Sequence, residues 1–123
     1  MDLIYLWNYL VEIMKISIGT KIKDGPWGGG NLFAINLRNY LVEMNHEVIF
    51  DLEDDDIDLI LLTEPRKTSE SSSFTHIDIL KYRQFVKKDV IVVHRINECD
   101  ERKNTNFVNQ YLLEANNSAD ATI

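Results

Sequence analysis

The chain has 123 residues, 45% of them hydrophobic and 10% aromatic, which is enough to build the core of one soluble globular domain. Twenty acidic residues against thirteen basic ones leave a net charge of −7, which argues against nucleic acid as a partner because phosphate neutralisation needs clustered cations. The one cysteine, Cys99, excludes an internal disulfide and favours a reducing compartment, so a cytoplasmic location is expected.

Residues 1–14 are predicted to form an apolar, helical N-terminal extension, in which Leu3, Leu6 and Leu10 recur at helical spacing. The segment lacks the basic region and the cleavage site of a signal peptide, and it is shorter than the roughly 20 residues that span a bilayer. Three interpretations stay open: an amphipathic helix at the domain edge, a weak peripheral membrane contact, and an extension with no role. Packing or no role is favoured over membrane docking.

From Lys15 onward, strand and helix patterns alternate along the chain. The predicted strands are 15–20, 47–52, 58–63 and 90–94, with the start of a fifth at 119–123, and the predicted helices cover 31–47, a segment from Thr75, and 105–117. This alternation predicts a doubly wound parallel sheet, Rossmann-like, in three α/β/α layers with strand order 3-2-1-4-5. Since the chain stops inside the fifth strand, the domain 15–123 is expected to be incomplete at its C-terminus.

Local signals mark the ends and the buried faces of the helices. Asn31 is a predicted N-cap of the first helix, and Thr75 with Asp78 makes a capping box at the second. The predicted buried stripes are Phe33, Leu37, Leu41 and Met44 in the first helix; Ile79, Tyr82 and Val86 in the second; and Phe107 or Val108, Tyr111 or Leu112, and Ala115 in the third. The acidic run 54–56 is predicted to be a solvated turn, and His46 and His76 are predicted to be solvated.

All five glycines lie between positions 19 and 30, and Gly25 and Gly28 to Gly30 follow the first strand. In open parallel sheets ligands bind beyond the carboxyl ends of the strands, where backbone N–H groups of a bare loop and the positive end of the next helix suit a diphosphate. A turn needed only to enter the helix is the alternative. The spacing is neither G-x-G-x-x-G nor G-x-x-x-x-G-K-[ST], which disfavours dinucleotide dehydrogenases and P-loop hydrolases.

Three segments carry a family resemblance: KISIGTKIKDGPWGGGN (15–31), the helix ending in NHEV, and VIVVHRIN (90–97). Together they resemble the N-terminal domain of retaining, nucleotide-sugar-dependent glycosyltransferases of the B fold, over residues 15–123. The resemblance implies two Rossmann-like domains that face a cleft, the first binding mainly the acceptor and the second the donor nucleotide. The donor domain is absent from this sequence, so the chain alone is expected to be inactive.

The resemblance also implies roles for individual residues. The glycine loop of the family contacts the donor phosphates and the acceptor, which implies this role for Gly28, Gly29, Gly30 and Asn31. A histidine that ends the fourth strand lies near the transferred sugar, which implies a catalytic role for His94. From the residues alone, a hydrogen-bonded histidine without chemistry stays equally open.

Three further residues are candidates for acceptor binding. Arg95 matches the next position of the family motif, and Trp27 is placed to stack on a sugar or acceptor ring or to pack over its own loop. Glu98 lies at the start of a charged loop at the same edge of the sheet. This loop either lines an acceptor pocket or is only a charged surface. Glu64, after the third strand, lies at the same edge without other support.

The implied partners are a nucleotide-sugar donor and a sugar, lipid or protein acceptor, with no metal and no other cofactor. The alternative function is a stand-alone flavodoxin-like binding or signalling module without catalysis. Receiver domains place acidic residues after the first strand and an aspartate after the third. Glycines and Thr63-Glu64 occupy those places, so this alternative is the weaker one.

Overall fold

The computed structural model describes residues 4, 12–25, 28–64, 71–96 and 104–123, except the side chain of Val108. Its elements are β1 (Lys15–Ile18), α1 (Gly29–Glu43), β2 (Glu47–Ile49), β3 (Leu59–Leu62), α2 (His76–Phe85), β4 (Ile91–His94), α3 (Val108–Ser118) and β5 (Ala121–Thr122). The strands form one parallel sheet in the order β2-β1-β3-β4-β5. The predicted α/β class and the fifth strand are therefore confirmed.

The predicted strand order 3-2-1-4-5 is wrong, because β3 pairs directly with β1 and leaves β2 at the edge of the sheet. The burial of the two strands gives the physical reason. All four residues of β3 are buried, whereas β2 has an exposed Glu47 and a half-buried Val48 and Ile49. A strand that is covered on both faces belongs inside a parallel sheet, and a short, partly exposed one belongs at its edge.

Two apolar clusters pack on opposite faces of the sheet. The first joins alternate strand residues, such as Ile16, Leu61 and Val93, to Ala34 and Leu41 of α1. The second joins the intervening strand residues Ile60, Leu62 and Val92 to Ile79 and Tyr82 of α2 and Ala115 of α3. The alternation follows from the two-residue period of a strand, so neighbouring residues at a strand end face different helices.

The termini of α2 show where local signals suffice. The predicted capping box is confirmed, since Asp78 Oδ2 accepts a hydrogen bond from the Thr75 backbone N–H at 2.9 Å and Thr75 caps the first turn in return. Val86 ends the helix as its C-cap and is 49% exposed, so its place in the buried stripe was wrong. For the buried stripe of α3, Leu112 is buried rather than the alternative Tyr111, and Ala115 is buried as predicted.

The amino ends of the strands carry a closed cluster of charges, which we call the amino-edge cluster. Lys15 Nζ donates to Asp54 Oδ2 at 2.9 Å and to Asp56 Oδ1 at 2.7 Å, and these hydrogen bonds raise the pKa of Lys15. Tyr82 Oη donates to the Asp54 carbonyl at 2.7 Å and accepts from the Ile57 N–H at 3.1 Å. The acidic run is therefore more than a solvated turn, because Lys15 and Tyr82 hold it.

A second polar contact, the Arg83–Asp120 clasp, ties α2 to the start of β5. Asp120 Oδ2 accepts from Arg83 Nη2 at 2.5 Å and from the Val92 N–H at 2.8 Å. Arg83 also donates to the carbonyls of Ser118 at 2.7 Å and Val90 at 3.2 Å. Two residues separate α3 from β5, and the clasp holds both ends of that connection.

His46 and His76 are each only 5% exposed, so the prediction that both are solvated is wrong. His46 Nδ1 accepts a hydrogen bond from the Met14 N–H at 3.0 Å, and His76 Nε2 lies 3.4 Å from Glu114 Oε2. Their burial comes from tertiary packing, which their places at the helix boundaries do not reveal.

Met14, the last residue of the predicted extension, packs in the core on the α1 face. Most of segment 1–14 lies outside the described residues, so its predicted helix stays a prediction. Within the described part of the chain, no helix has the length and apolar character needed to cross a membrane.

Candidate functional site

A polar cavity of about 200 Å³ opens at the carboxyl edge of the sheet. We call it the edge cavity, and it is lined by Thr20, Lys21, Lys23, Gly30, Asn31, Thr63, Glu64, Ser71 and Arg95. These residues follow β1, β3 and β4 or begin α1. In the observed strand order, β2 lies on one side of β1, and β3, β4 and β5 follow on the other side. The strand order therefore switches between β1 and β3, and ligands bind at such a switch point in open α/β sheets.

The N-terminus of α1 presents bare backbone beside the edge cavity. Gly28 is the N-cap with φ of 94°, a left-handed conformation that favours glycine, and no side chain caps the first turn within the described residues. A Cβ added to Gly28 or Gly29 would meet nothing within 4 Å, and both residues are exposed. The predicted open glycine loop is therefore present at Gly28 and Gly29, while Gly30 lines the cavity.

Asn31 is not the N-cap of α1, so that prediction was wrong. It is the third residue of the helix, and its side chain donates to the Lys23 carbonyl and accepts from the Lys23 N–H, both at 2.8 Å. This reciprocal pair fastens the loop after β1 to the start of α1. Asn31 therefore positions Lys23 at the cavity wall.

Close backbone packing builds the opposite wall. A Cβ at Gly19 would lie 3.1 Å from the Leu61 carbonyl and 3.2 Å from Thr63 Oγ1, so glycine lets the end of β1 approach β3. Thr20 Oγ1 donates to Thr63 Oγ1 at 3.0 Å, and the Lys21 N–H donates to the Ser71 carbonyl at 3.0 Å. These bonds bring two hydroxyl groups and the segment from Ser71 to the same side of the cavity.

Arg95 joins the cavity from the end of β4. Its N–H donates to the Leu62 carbonyl at 2.9 Å, and its guanidinium carbon lies 4.0 Å from the centroid of the Phe33 ring on α1. Burial lowers the pKa of Arg95, which reflects a cation that has lost part of its hydration. The structure thus brings Arg95, a predicted acceptor-binding residue, to the same cavity as Gly30 and Asn31.

His94 points the other way. It shares the face of Val92, toward α2 and α3, is 0% exposed, and does not line the edge cavity. Its Nδ1 lies 2.5 Å from Asn116 Oδ1, and because an amide oxygen only accepts, Nδ1 carries the proton. Nε2 is buried and has no hydrogen-bond partner among the described residues, and burial lowers the pKa of His94. In this arrangement the imidazole does not contact a ligand in the cavity.

Most residues of the cavity wall were not predicted from the sequence, and some predicted residues lie where the structure is not described. Trp27 and Glu98 lie outside the described residues. The missed residues are Thr20, Lys21, Lys23, Thr63 and Ser71. Their positions could have indicated them, since Thr20 and Thr63 follow β1 and β3, which are adjacent and parallel. Predicting this from the sequence requires the correct strand order.

No protein-family model matches the chain, and no curated protein matches it. A solved structure of an α-glucosyltransferase in complex with UDP and a 13-mer DNA containing a HMU base is similar over 90% of this chain, with 17% identity and a TM-score of 0.58. The chain spans 37% of that glucosyltransferase. At this identity the likeness shows the fold alone, which is the Rossmann-like α/β fold that this chain shares with part of that glucosyltransferase. Because that neighbour binds DNA, the comparison gives no support to the prediction that this chain binds no nucleic acid.

Proposed function

We propose that this chain is the acceptor-side part of a glycosyltransferase that transfers a sugar from a nucleotide-sugar donor. The observation that carries the proposal is the edge cavity, where hydroxyl, amide and cationic side chains meet the bare N-terminus of α1 at the switch point of the sheet. The glycosyltransferase-like fold supports the same conclusion, since that neighbour binds UDP.

The residues divide into two groups by exposure. Gly28 and Gly29 offer open N–H groups and the positive end of α1 to the diphosphate of the donor, whose nucleotide a second domain holds. The edge cavity, with Arg95 and Asn31, receives the acceptor, and Trp27 and Glu98 stay candidates for further acceptor contacts. Helix dipole and cations stabilise the departing diphosphate without a metal, and the sugar is transferred with retention at the anomeric carbon.

The catalytic role that the family resemblance implies for His94 requires an imidazole in contact with the sugar. Its ring is buried on the α2 and α3 face, so we assign the ligand contacts to Arg95 and the glycine loop instead. The implied catalytic role therefore requires that docking of the second domain expose the His94 ring to the sugar.

The test uses the natural polypeptide that contains this chain, incubated with UDP-glucose, GDP-mannose and other nucleotide sugars. We expect release of the nucleoside diphosphate with at least one donor, and an α-linked product from an α-linked donor by NMR. Gly29→Trp places a bulky side chain beside the open amides, at a position where an added Cβ meets nothing within 4 Å, and should abolish release, whereas Leu32→Trp, on an exposed position of α1, should not. Absence of release with every donor, or full activity of Gly29→Trp, contradicts the proposal.

One observation favours a second function, a binding module without catalysis. The strand order β2-β1-β3-β4-β5 is that of flavodoxin, whose FMN lies at the β1/β3 switch point. Fluorescence titration with FMN separates the two functions. Quenching at micromolar FMN, together with no nucleotide-sugar turnover, favours the binding module.

The remaining expectations stay proposals. They are a cytoplasmic location, an acceptor that is a sugar, a lipid or a protein, and peripheral membrane contact through the extension 1–14. Fractionation of cells that express the natural polypeptide, with and without residues 1–13, tests the first and the last of them.

A further inference from the structure

The edge cavity differs from the rest of the molecule in charge. The whole chain carries twenty acidic and thirteen basic residues, yet among the residues that the structure describes the cavity is lined by three cations, Lys21, Lys23 and Arg95, and by one carboxylate, Glu64. A concave site with an excess of one charge focuses its potential into the cavity. The local sign is therefore opposite to that of the protein as a whole, which indicates an anionic ligand.

The volume of the cavity limits the size of that ligand. About 200 Å³ lies below the roughly 300 to 1,000 Å³ of sites for drug-sized ligands. A complete nucleotide sugar exceeds this space, whereas a monosaccharide with one phosphate group suits it. The polar wall of Thr20, Thr63 and Asn31 provides partners for sugar hydroxyl groups.

The cations are held in place by the fold. The Arg95 guanidinium lies over the Phe33 ring, 4.0 Å from its centroid, and this contact holds a group that suits bidentate hydrogen bonding to phosphate oxygens. The reciprocal bonds between Asn31 and the Lys23 backbone, each 2.8 Å, fix the loop that carries both lysines. A partly desolvated guanidinium that is positioned in advance loses less on binding an anion than a mobile, fully hydrated one.

From these observations we infer that the edge cavity binds a small phosphorylated sugar through its phosphate group, with Arg95 and Lys21 as the principal cationic contacts. Calling this sugar phosphate the acceptor rests on the proposed function. The binding itself does not, because it needs no donor and no second domain.

The experiment titrates the 123-residue chain with glucose 6-phosphate, glucose, inorganic phosphate and UDP-glucose, by calorimetry at low salt. We expect glucose 6-phosphate to bind at least about tenfold more tightly than glucose or inorganic phosphate, since hydrogen bonds to charged groups are the strong ones. Arg95→Gln and Lys21→Gln should each weaken glucose 6-phosphate binding about tenfold. Lys88→Gln, which removes the same charge at an exposed position away from the cavity, should leave it unchanged.

Several results would overturn the inference. Equal affinity for glucose and glucose 6-phosphate would show that the phosphate group does not contribute to binding. Equal affinity for inorganic phosphate and glucose 6-phosphate would show that the sugar does not contribute. An equal loss in Lys88→Gln shows a general charge effect. Tighter binding of UDP-glucose, in competition with glucose 6-phosphate, makes the cavity a donor site. If Arg95→Gln unfolds, as circular dichroism would show, Lys21→Gln provides the test, because that side chain is exposed.

The inference and the proposed function fail separately. Transfer activity without glucose 6-phosphate binding refutes the inference and leaves the proposed function standing. If glucose 6-phosphate binds and the Arg95→Gln and Lys21→Gln variants weaken its binding, but the natural polypeptide transfers no sugar, the proposed function is refuted and the inference stands.

Discussion

The two edges of the sheet use charged residues in opposite ways. At the amino edge, Lys15 is bound by Asp54 and Asp56, so the charges satisfy one another in a closed cluster. At the carboxyl edge, three cations and one carboxylate among the described residues line a cavity of about 200 Å³, beside a helix start that no described side chain caps. The difference teaches that exposed charge alone does not mark a site. The cavity and the open backbone distinguish the carboxyl edge, and changes at the two edges should therefore separate stability from binding.

The largest expected effect on stability is at the amino edge. Tyr82→Phe removes a donor to the Asp54 carbonyl and an acceptor for the Ile57 N–H in a side chain that is 3% exposed. We expect the free energy of unfolding to fall by about 1 to 3 kcal/mol, because a buried backbone group loses its partner. Urea denaturation measures it, with Tyr40→Phe, at an exposed position of α1, as the control. A loss of glucose 6-phosphate affinity in folded Tyr82→Phe would break the comparison.

At the carboxyl edge, two neighbouring glycines should differ. Gly28→Ala places a side chain at φ of 94°, and we expect a loss of about 1 to 2 kcal/mol in the free energy of unfolding. Gly29→Ala meets no atom within 4 Å and should be neutral or stabilising by up to about 1 kcal/mol. Thermal and urea unfolding of the pair measure the difference. Equal effects would show that the backbone at Gly28 is not constrained.

The burial of His94 predicts a pH dependence of stability. Burial lowers the pKa of His94 in the folded state below the ordinary value of 6.5, so the unfolded state binds more protons as the pH falls through 6.5. The free energy of unfolding should then decrease from pH 7.5 to 5.5, with a slope of at most about 1.4 kcal/mol per pH unit from this residue. His94→Gln should show a flatter profile than the parent chain, since His46 and His76 are common to both. Parallel profiles would contradict the burial of the imidazole.

The smallest effect is expected at Lys15. Lys15→Gln leaves Asp54 and Asp56 without their shared cation, but their side chains are 43% and 65% exposed, so water replaces part of the lost interaction. Stability should fall less than in the variants above, and the loss should shrink as salt is raised from 50 to 500 mM. Denaturation midpoints at the two salt concentrations measure it. A loss that does not respond to salt would mean that Lys15 acts through packing.

Sequence patterns predicted what depends on neighbours along the chain. The alternation of strands and helices and the capping box of Thr75 and Asp78 are set by local chemistry, and both are confirmed. The strand order and the burial of His46 and His76 depend on which segments meet in space, so local patterns gave the wrong answer there.

The candidate site divides in the same way. The glycine loop and Arg95 were candidates from position and resemblance, whereas Lys21, Lys23 and Thr63 line the cavity only because β1 and β3 pair. Asparagine is a common N-cap residue, but the Asn31 side chain binds the Lys23 backbone instead, because Gly28 is already the N-cap of the helix.

The Arg83–Asp120 clasp also limits how the chain can vary in length. Asp120 accepts from both Arg83 and the Val92 N–H, and Arg83 reaches the Ser118 carbonyl, across a connection of only two residues between α3 and β5. Inserting or deleting one residue there would shift the carboxylate out of register with both donors at once and turn β5 over. Homologous chains should therefore tolerate indels in other loops of this domain far more readily than in this one.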